Sequence, residues 1–152
     1  MEREERKIVV GVDESEESMF ALSWCITNLI ADTPNVKLLL LYVKPLHPFK
    51  ASIWYMFSSN AMEQYGKDLA NSVMERAEAI FNNLNTAHIK MERVVGCGDA
   101  KDVICREVQK LDADTLVLGT HGYGFLKRVL IGSVSDYCAK HAKCAVVIVK
   151  QP

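Results

Sequence analysis

The hydrophobic period of this chain changes repeatedly along its length. Short runs rich in Val, Ile and Leu, typical of buried strands, alternate with longer segments whose apolar residues recur at helical spacing. The runs lie at residues 7–12, 36–43, 89–95, 115–119 and 145–150. The helical segments lie at residues 15–30, 61–84, 99–111 and 133–142. This alternation predicts a single α/β domain over residues 1–152 with a largely parallel sheet.

The character of each run also predicts the order of the strands. The first, second and fourth runs are continuously apolar, as expected of strands covered by helices on both faces. The third run alternates with polar residues, which indicates an edge strand. The order 3-2-1-4-5 satisfies both conditions and describes an open, Rossmann-like sheet with helices on both faces. The chain then reverses between strands 1 and 4, where ligands bind beyond the carboxyl ends of the strands.

Composition limits the classes of partner and compartment. The net charge of −1 supplies no basic field for nucleic acid, and no apolar run is long enough to span a membrane. The five cysteines are odd in number and include no CxxC pair, which favours buried, reduced thiols. We therefore expect a cytoplasmic protein without nucleic-acid or membrane partners.

Four of the eight glycines lie within residues 119–133, directly after the fourth apolar run. Gly119, Gly122, Gly132 and Ser133 fit the pattern G-x2-G-x9-G followed by Ser or Thr. The first two glycines would let a loop present backbone N–H groups, and Gly132 would allow close approach to a helix N-terminus that attracts anions. Ser133 would both cap that helix and donate its hydroxyl to a phosphate.

Two better-known phosphate motifs do not fit the same stretch. A Walker loop requires lysine where Phe125 stands, and a dinucleotide fingerprint requires glycine where Lys127 stands. A purely structural alternative remains open, because glycine-rich loops often form tight turns and Ser133 with Asp136 resembles a capping box.

Three stretches of the chain resemble the universal stress protein family, in the ATP-binding subgroup that carries this glycine motif. They read IVVGVDESEES, GDAKDVICREV and LGTHGYGFLKRVLIGSVSDYCAKHAKCAVVIVK. The middle stretch most resembles plant members. One departure is Cys144-Ala145, where the family often has cysteine followed by proline before its last strand.

The resemblance implies an adenine-nucleotide site that takes ATP, or AMP or ADP. Asp13 and the backbone of Val43 would face the adenosine, although Asp13 is also suited to cap the first helix. Leu118 and Gly119 would lie beneath the nucleotide. The residues implied around ribose and phosphates are His121, Gly122, Gly132, Ser133 and Val134. Mg²⁺ or Mn²⁺ would be held through phosphate oxygens, without protein ligands.

We expect a nucleotide-dependent regulatory or stress-response module. The alternative is a slow ATPase, for which Asp13, His121 and the metal ion are the available groups and no Walker lysine or arginine finger is evident. A phosphoacceptor receiver domain fits poorly, because Val95-Gly96 stand where its aspartate would end strand 3.

The last apolar run predicts self-association. In the order 3-2-1-4-5, Ala145–Val149 is an edge strand, yet it is continuously apolar. Such an edge exposes unpaired backbone groups and favours pairing with another chain. We expect a homodimer formed by antiparallel pairing of this strand, as the resemblance also suggests.

Overall fold

The computed structural model describes residues 4–45, 59–120 and 133–152. These ranges contain a five-stranded sheet whose neighbouring strands are all parallel. The strands are β1 (Arg6–Gly11), β2 (Val36–Lys44), β3 (Lys90–Cys97), β4 (Thr115–Gly119) and β5 (Ala145–Val149). The helices are α1 (Glu16–Cys25), α2 (Ser59–Asn83), α3 (Ala100–Lys110) and α4 (Ser133–His141). The strand order is β3-β2-β1-β4-β5, so the predicted α/β fold and topology are confirmed.

Helices cover both faces of the sheet, because the central strands are apolar on both sides. Ile8 and Val10 of β1 belong to a core cluster with α1 and α2, whereas Val9 belongs to a second cluster with α3 and α4. Leu38 and Leu39 of β2 divide between the two clusters in the same way. Side chains alternate across a strand, so a continuous apolar run fills two cores at once.

β3 lies at one edge of the sheet, as its alternating sequence predicts. Val95 is 46% exposed, and the polar residues of the strand form ion pairs with neighbouring elements. Arg93 pairs with Glu78 of α2, and Glu92 lies 2.8 Å from the Nζ atom of Lys37 on β2. Charged side chains on an edge strand disfavour its pairing with another chain.

Two local expectations were wrong. The first helical segment is not one α-helix to residue 30, because a π-helical turn, Ile26–Ile30, follows α1 and buries both of its end residues. The thiols are not all buried, because Cys97 is exposed at the end of the edge strand β3.

Candidate functional site

A cavity of about 240 Å³ opens at the carboxyl ends of β1, β2 and β4, where the chain reverses direction across the sheet. Connections that leave neighbouring parallel strands toward opposite faces of a sheet create a crevice at this edge. The residues that line it are Gly11, Val12, Asp13, Glu14, Ser15, Ser18, Leu41, Tyr42, Val43, Pro45, Ala100, Ile104, Leu118, Gly119, Val134 and Ser135. The cavity therefore lies at the edge where the sequence predicts a ligand.

Five residues named from the sequence line this one cavity, namely Asp13, Val43, Leu118, Gly119 and Val134. They come from three strand ends and the first turn of α4, and the fold brings them together.

Of the four other residues named from the sequence, the structure describes only Ser133. Ser133 is the first residue of α4, so the helix begins one position earlier than the predicted N-cap role requires. His121, Gly122 and Gly132 lie outside the described residues.

Asp13 is held at the start of α1 by a compact set of hydrogen bonds. Its Oδ1 atom accepts from the Ser15 backbone N–H at 2.8 Å and from the Ser15 hydroxyl. The Ser18 hydroxyl oxygen accepts from the Asp13 backbone N–H at 3.0 Å, and the Ser15 hydroxyl oxygen caps α1 by accepting from the Ser18 N–H at 3.2 Å. Asp13 thus organises the first turn of α1 while it borders the cavity, so the two roles considered for it are compatible.

Glu14 extends this wall of the cavity and is tied to two neighbouring elements. The Tyr42 hydroxyl donates to the Glu14 Oε1 atom at 3.2 Å, and the Arg76 Nη1 atom donates to the Glu14 carbonyl oxygen at 3.0 Å. Burial, reinforced by the nearby Glu14 charge, raises the pKa of Tyr42 above its ordinary value. The phenol therefore stays protonated and remains a donor to the carboxylate.

The opposite wall contains residues that sequence analysis missed. Ala100 and Ile104 lie in the first two turns of α3, and Ser135 lies in the first turn of α4. Ala100 and Ile104 follow ordinary helical spacing and give no sequence signal for a ligand. Ser135 stands two positions after the glycine motif, which is the one hint that the sequence offers.

The charge of the cavity is uneven. Asp13 and Glu14 place two carboxylates on one wall, while no Lys, Arg or His occurs among its described lining residues. No group of three His, Cys, Asp or Glu suited to a metal ion was found in the ranges that the structure describes. None of the helices in those ranges is long and apolar enough to cross a membrane.

Comparisons with known proteins agree on one family. The model of the universal stress protein family matches residues 5–150. The chain is 30% identical over 136 residues to a universal stress protein A-like protein from Arabidopsis thaliana, with 86% of this chain and 77% of the relative covered. It is 29% identical over 160 residues to the universal stress protein PHOS32 of the same plant, with 97% of this chain and 65% of the relative covered.

A solved structure gives the same result at the level of the fold. It is a universal stress protein family protein from Arabidopsis thaliana with AMP bound. The TM-score is 0.66 at 25% identity, and the alignment covers 97% of this chain and 92% of that one.

Proposed function

The chain belongs to the universal stress protein family, and on that premise we propose that it binds an adenine nucleotide and acts as a nucleotide-dependent regulatory or stress-response module. The observation that supports this most directly is the convergence of Asp13, Val43, Leu118, Gly119 and Val134 on one cavity at the reversal of the sheet. The AMP bound to the Arabidopsis relative supports the choice of an adenine nucleotide.

We place the chain in the plant-type, ATP-binding subgroup as part of this proposal. The glycine motif that begins at Gly119 supports the subgroup, and the Arabidopsis relatives support the plant-type assignment. ATP, or AMP or ADP, would lie with its adenosine toward Asp13 and the Val43 backbone and with its phosphates toward the start of α4. Mg²⁺ or Mn²⁺ would enter with the phosphates, whose oxygens are the ligands such ions prefer.

The chemistry of the described walls fits such a ligand. Val43, Ile104 and Leu118 offer apolar contact to a base, and each belongs to the second core cluster or packs against it. Asp13 and Glu14 offer carboxylate oxygens to ribose hydroxyls, which are neutral donors that do not repel them. A cavity with apolar walls and a few polar groups at fixed positions is typical of small-ligand sites.

The direct test is to denature freshly purified protein and identify any nucleotide it releases by chromatography. Calorimetry with AMP, ADP, ATP and GTP should then show binding of the adenine nucleotides and little binding of GTP. Binding of GTP in preference to ATP, or no binding of any of the four, would contradict the proposal.

Slow ATP hydrolysis on the same fold is the second candidate, and the geometry of Asp13 argues against efficient turnover. Its Oδ1 atom already accepts two hydrogen bonds from Ser15 and is committed to α1. Binding by backbone N–H groups also stabilises ground state and transition state alike, which does not accelerate chemistry. We expect turnover well below the roughly 1–100 s⁻¹ of kinases. Faster phosphate release that Asp13→Asn abolishes without weakening ATP binding would favour the ATPase.

We also propose a homodimer formed across the open edge of β5. Within the described ranges β5 pairs with β4 alone, and Ile148 is 36% exposed on that strand. Antiparallel pairing of two such edges would satisfy their free backbone groups and cover this apolar side chain.

A cytoplasmic location completes the proposal. All five cysteines are free thiols, and thiols persist in a reducing compartment. Fractionation of cells that produce the protein would test this location directly.

A further inference from the structure

We propose that Cys105 and Cys138 are an oxidation site, at which a peroxide joins the two thiols in a reversible disulfide between α3 and α4 and thereby weakens nucleotide binding. The disulfide depends on the two thiols alone, whereas its effect on binding rests on the proposed function. Disulfides that form in a reducing compartment are usually transient and often serve as redox sensors.

The two thiols meet where α3 packs on α4. The Cys105 thiol donates a hydrogen bond to the Cys138 Sγ atom, and the two sulfur atoms are 3.8 Å apart. A disulfide bond is about 2.05 Å long, so the sulfur atoms need to approach each other by about 1.8 Å. Each side chain already directs its sulfur at the other, so small side-chain and helix shifts would suffice to close the bond.

The two thiols differ in their access to an oxidant. Cys105 is partly exposed, whereas Cys138 has no exposed surface. Burial raises the pKa of Cys138 to about 12, which keeps this thiol protonated at neutral pH. Because the thiolate is the reactive form, Cys105 is the thiol that the peroxide attacks, and Cys138 is the thiol that then closes the bond.

The reaction with hydrogen peroxide takes two steps. The Cys105 sulfur forms an S–O bond as the O–O bond breaks, the Cys105 proton leaves with the released oxygen as water, and a sulfenic acid remains. The Cys138 sulfur then attacks the Cys105 sulfur, and the S–S bond forms as the S–O bond breaks. The Cys138 proton leaves with the hydroxyl as a second water. The two thiols lose two electrons, which the peroxide gains.

The other three cysteines provide an internal comparison. Cys25 is buried in the core cluster on the other side of the sheet, and Cys97 is exposed at the end of β3. Cys144 packs against the same core cluster as Cys138 and is the competing partner. Among the described residues, which include all five cysteines, only Cys105 and Cys138 have sulfur atoms in hydrogen-bond contact.

The thiol pair adjoins a wall of the nucleotide cavity. Cys105 directly follows Ile104, which lines the cavity on α3, and Cys138 lies about one turn beyond Val134, which lines it on α4. Ile104 and Cys138 belong to one core cluster, against which Cys105 and Val134 pack. A disulfide would draw the two helices together at this wall and narrow the cavity. Such crowding of packed groups corresponds to a loss of affinity of about 5- to 100-fold.

The test of the disulfide treats the reduced protein with hydrogen peroxide and maps its peptides by mass spectrometry without reduction. One pair of peptides linked through Cys105 and Cys138 should appear, the free thiols should fall from five to three per chain, and dithiothreitol should restore them. Cys105→Ser should form no such link, whereas Cys97→Ser, the control at an exposed thiol, should form it as the parent does. A link from Cys138 to Cys144, or no link within the chain, would overturn the assignment.

Calorimetry with AMP tests the effect on binding. The oxidised parent should bind AMP about 5- to 100-fold more weakly than the reduced parent, and peroxide should leave the affinity of Cys105→Ser unchanged. Equal affinities of the reduced and the disulfide-linked parent would overturn the effect on binding. A reduced parent that binds no AMP would overturn the proposed function together with this effect, whereas the mapped disulfide is decided by the peptides alone.

Discussion

A Cβ atom on Gly119, at the end of β4, would stand 2.5 Å from the backbone carbonyl oxygen of Glu17 in the first turn of α1. It would also stand 2.8 Å from the Glu17 carbonyl carbon. Both neighbours are backbone atoms, so neither can rotate away as a flexible side chain would. The close approach of β4 to α1 therefore depends on the absence of a side chain at Gly119.

The surroundings of Gly119 and of Gly66 predict opposite effects on stability when each glycine is replaced by alanine. Gly119→Ala should lower the free energy of unfolding by about 1–3 kcal/mol, because the backbone of α1 must shift. Gly66→Ala is the matched control, since its Cβ atom would lie 3.7 Å from the Lys44 Cδ atom, at ordinary contact distance within α2. It should raise the free energy of unfolding by about 0.5–1 kcal/mol. Urea unfolding measures both free energies. A Gly119→Ala protein as stable as the parent would contradict the packing argument.

Gly132→Val tests the phosphate end of the proposed site. A branched side chain at this position, directly before α4, would occupy space that the phosphates need. We expect nucleotide binding to be lost in calorimetry while the circular dichroism spectrum stays like that of the parent. If the variant binds ATP with parental affinity, the phosphate cradle does not exist in the proposed form.

Ile148→Pro tests the dimer proposed across β5. The Val149 carbonyl oxygen accepts from the Thr120 N–H at 3.2 Å and so faces β4, which leaves the Ile148 N–H facing the open edge. Proline at Ile148 removes that donor without removing a bond to β4. Sedimentation at micromolar concentration should show a dimer for the parent and a monomer for this variant.

Ile148→Val is the control for that experiment, because it keeps both the N–H group and a branched apolar side chain. It should remain dimeric. A parent protein that sediments as a monomer would refute the edge-pairing proposal, and so would an unaltered dimer in Ile148→Pro.

Alkaline pH should weaken the fold through buried thiols. Burial raises the pKa of Cys25 from its ordinary value of 9.0 to about 12. Above the unfolded pKa the unfolded chain loses this proton while the folded chain keeps it, so stability is full below that pKa and falls as pH rises through the window up to the folded pKa. The fall is at most about 1.4 kcal/mol per pH unit for one thiol.

The measurement is urea unfolding of the parent and Cys25→Ala at pH values of about 8 and 10. The variant should lose less stability between the two pH values than the parent does, although it starts from a lower value because a buried group is removed. Burial also raises the pKa of Cys138 to about 12. Because this thiol is present in both proteins, the stability of each still falls as pH rises. Identical slopes would show that Cys25 does not carry the effect.

The sequence by itself determined the elements and their order in the sheet. Continuous apolar runs such as that of β2 and the alternating run of β3 report how many faces of a strand are buried, and this is a local property of the chain. The same information located the reversal between β1 and β4, and with it the edge of the sheet at which Asp13 and Gly119 line one cavity.

Only the tertiary structure decided which atoms meet at that edge. Gly119 is explained by its close approach to the backbone of Glu17, and the hydrogen bond between Tyr42 and Glu14 joins the end of β2 to the segment before α1. These relationships join elements distant in the chain and depend on distances of about 3 Å. Periodicity specifies which face of an element is buried, but the docking of one element on another sets which polar groups find partners.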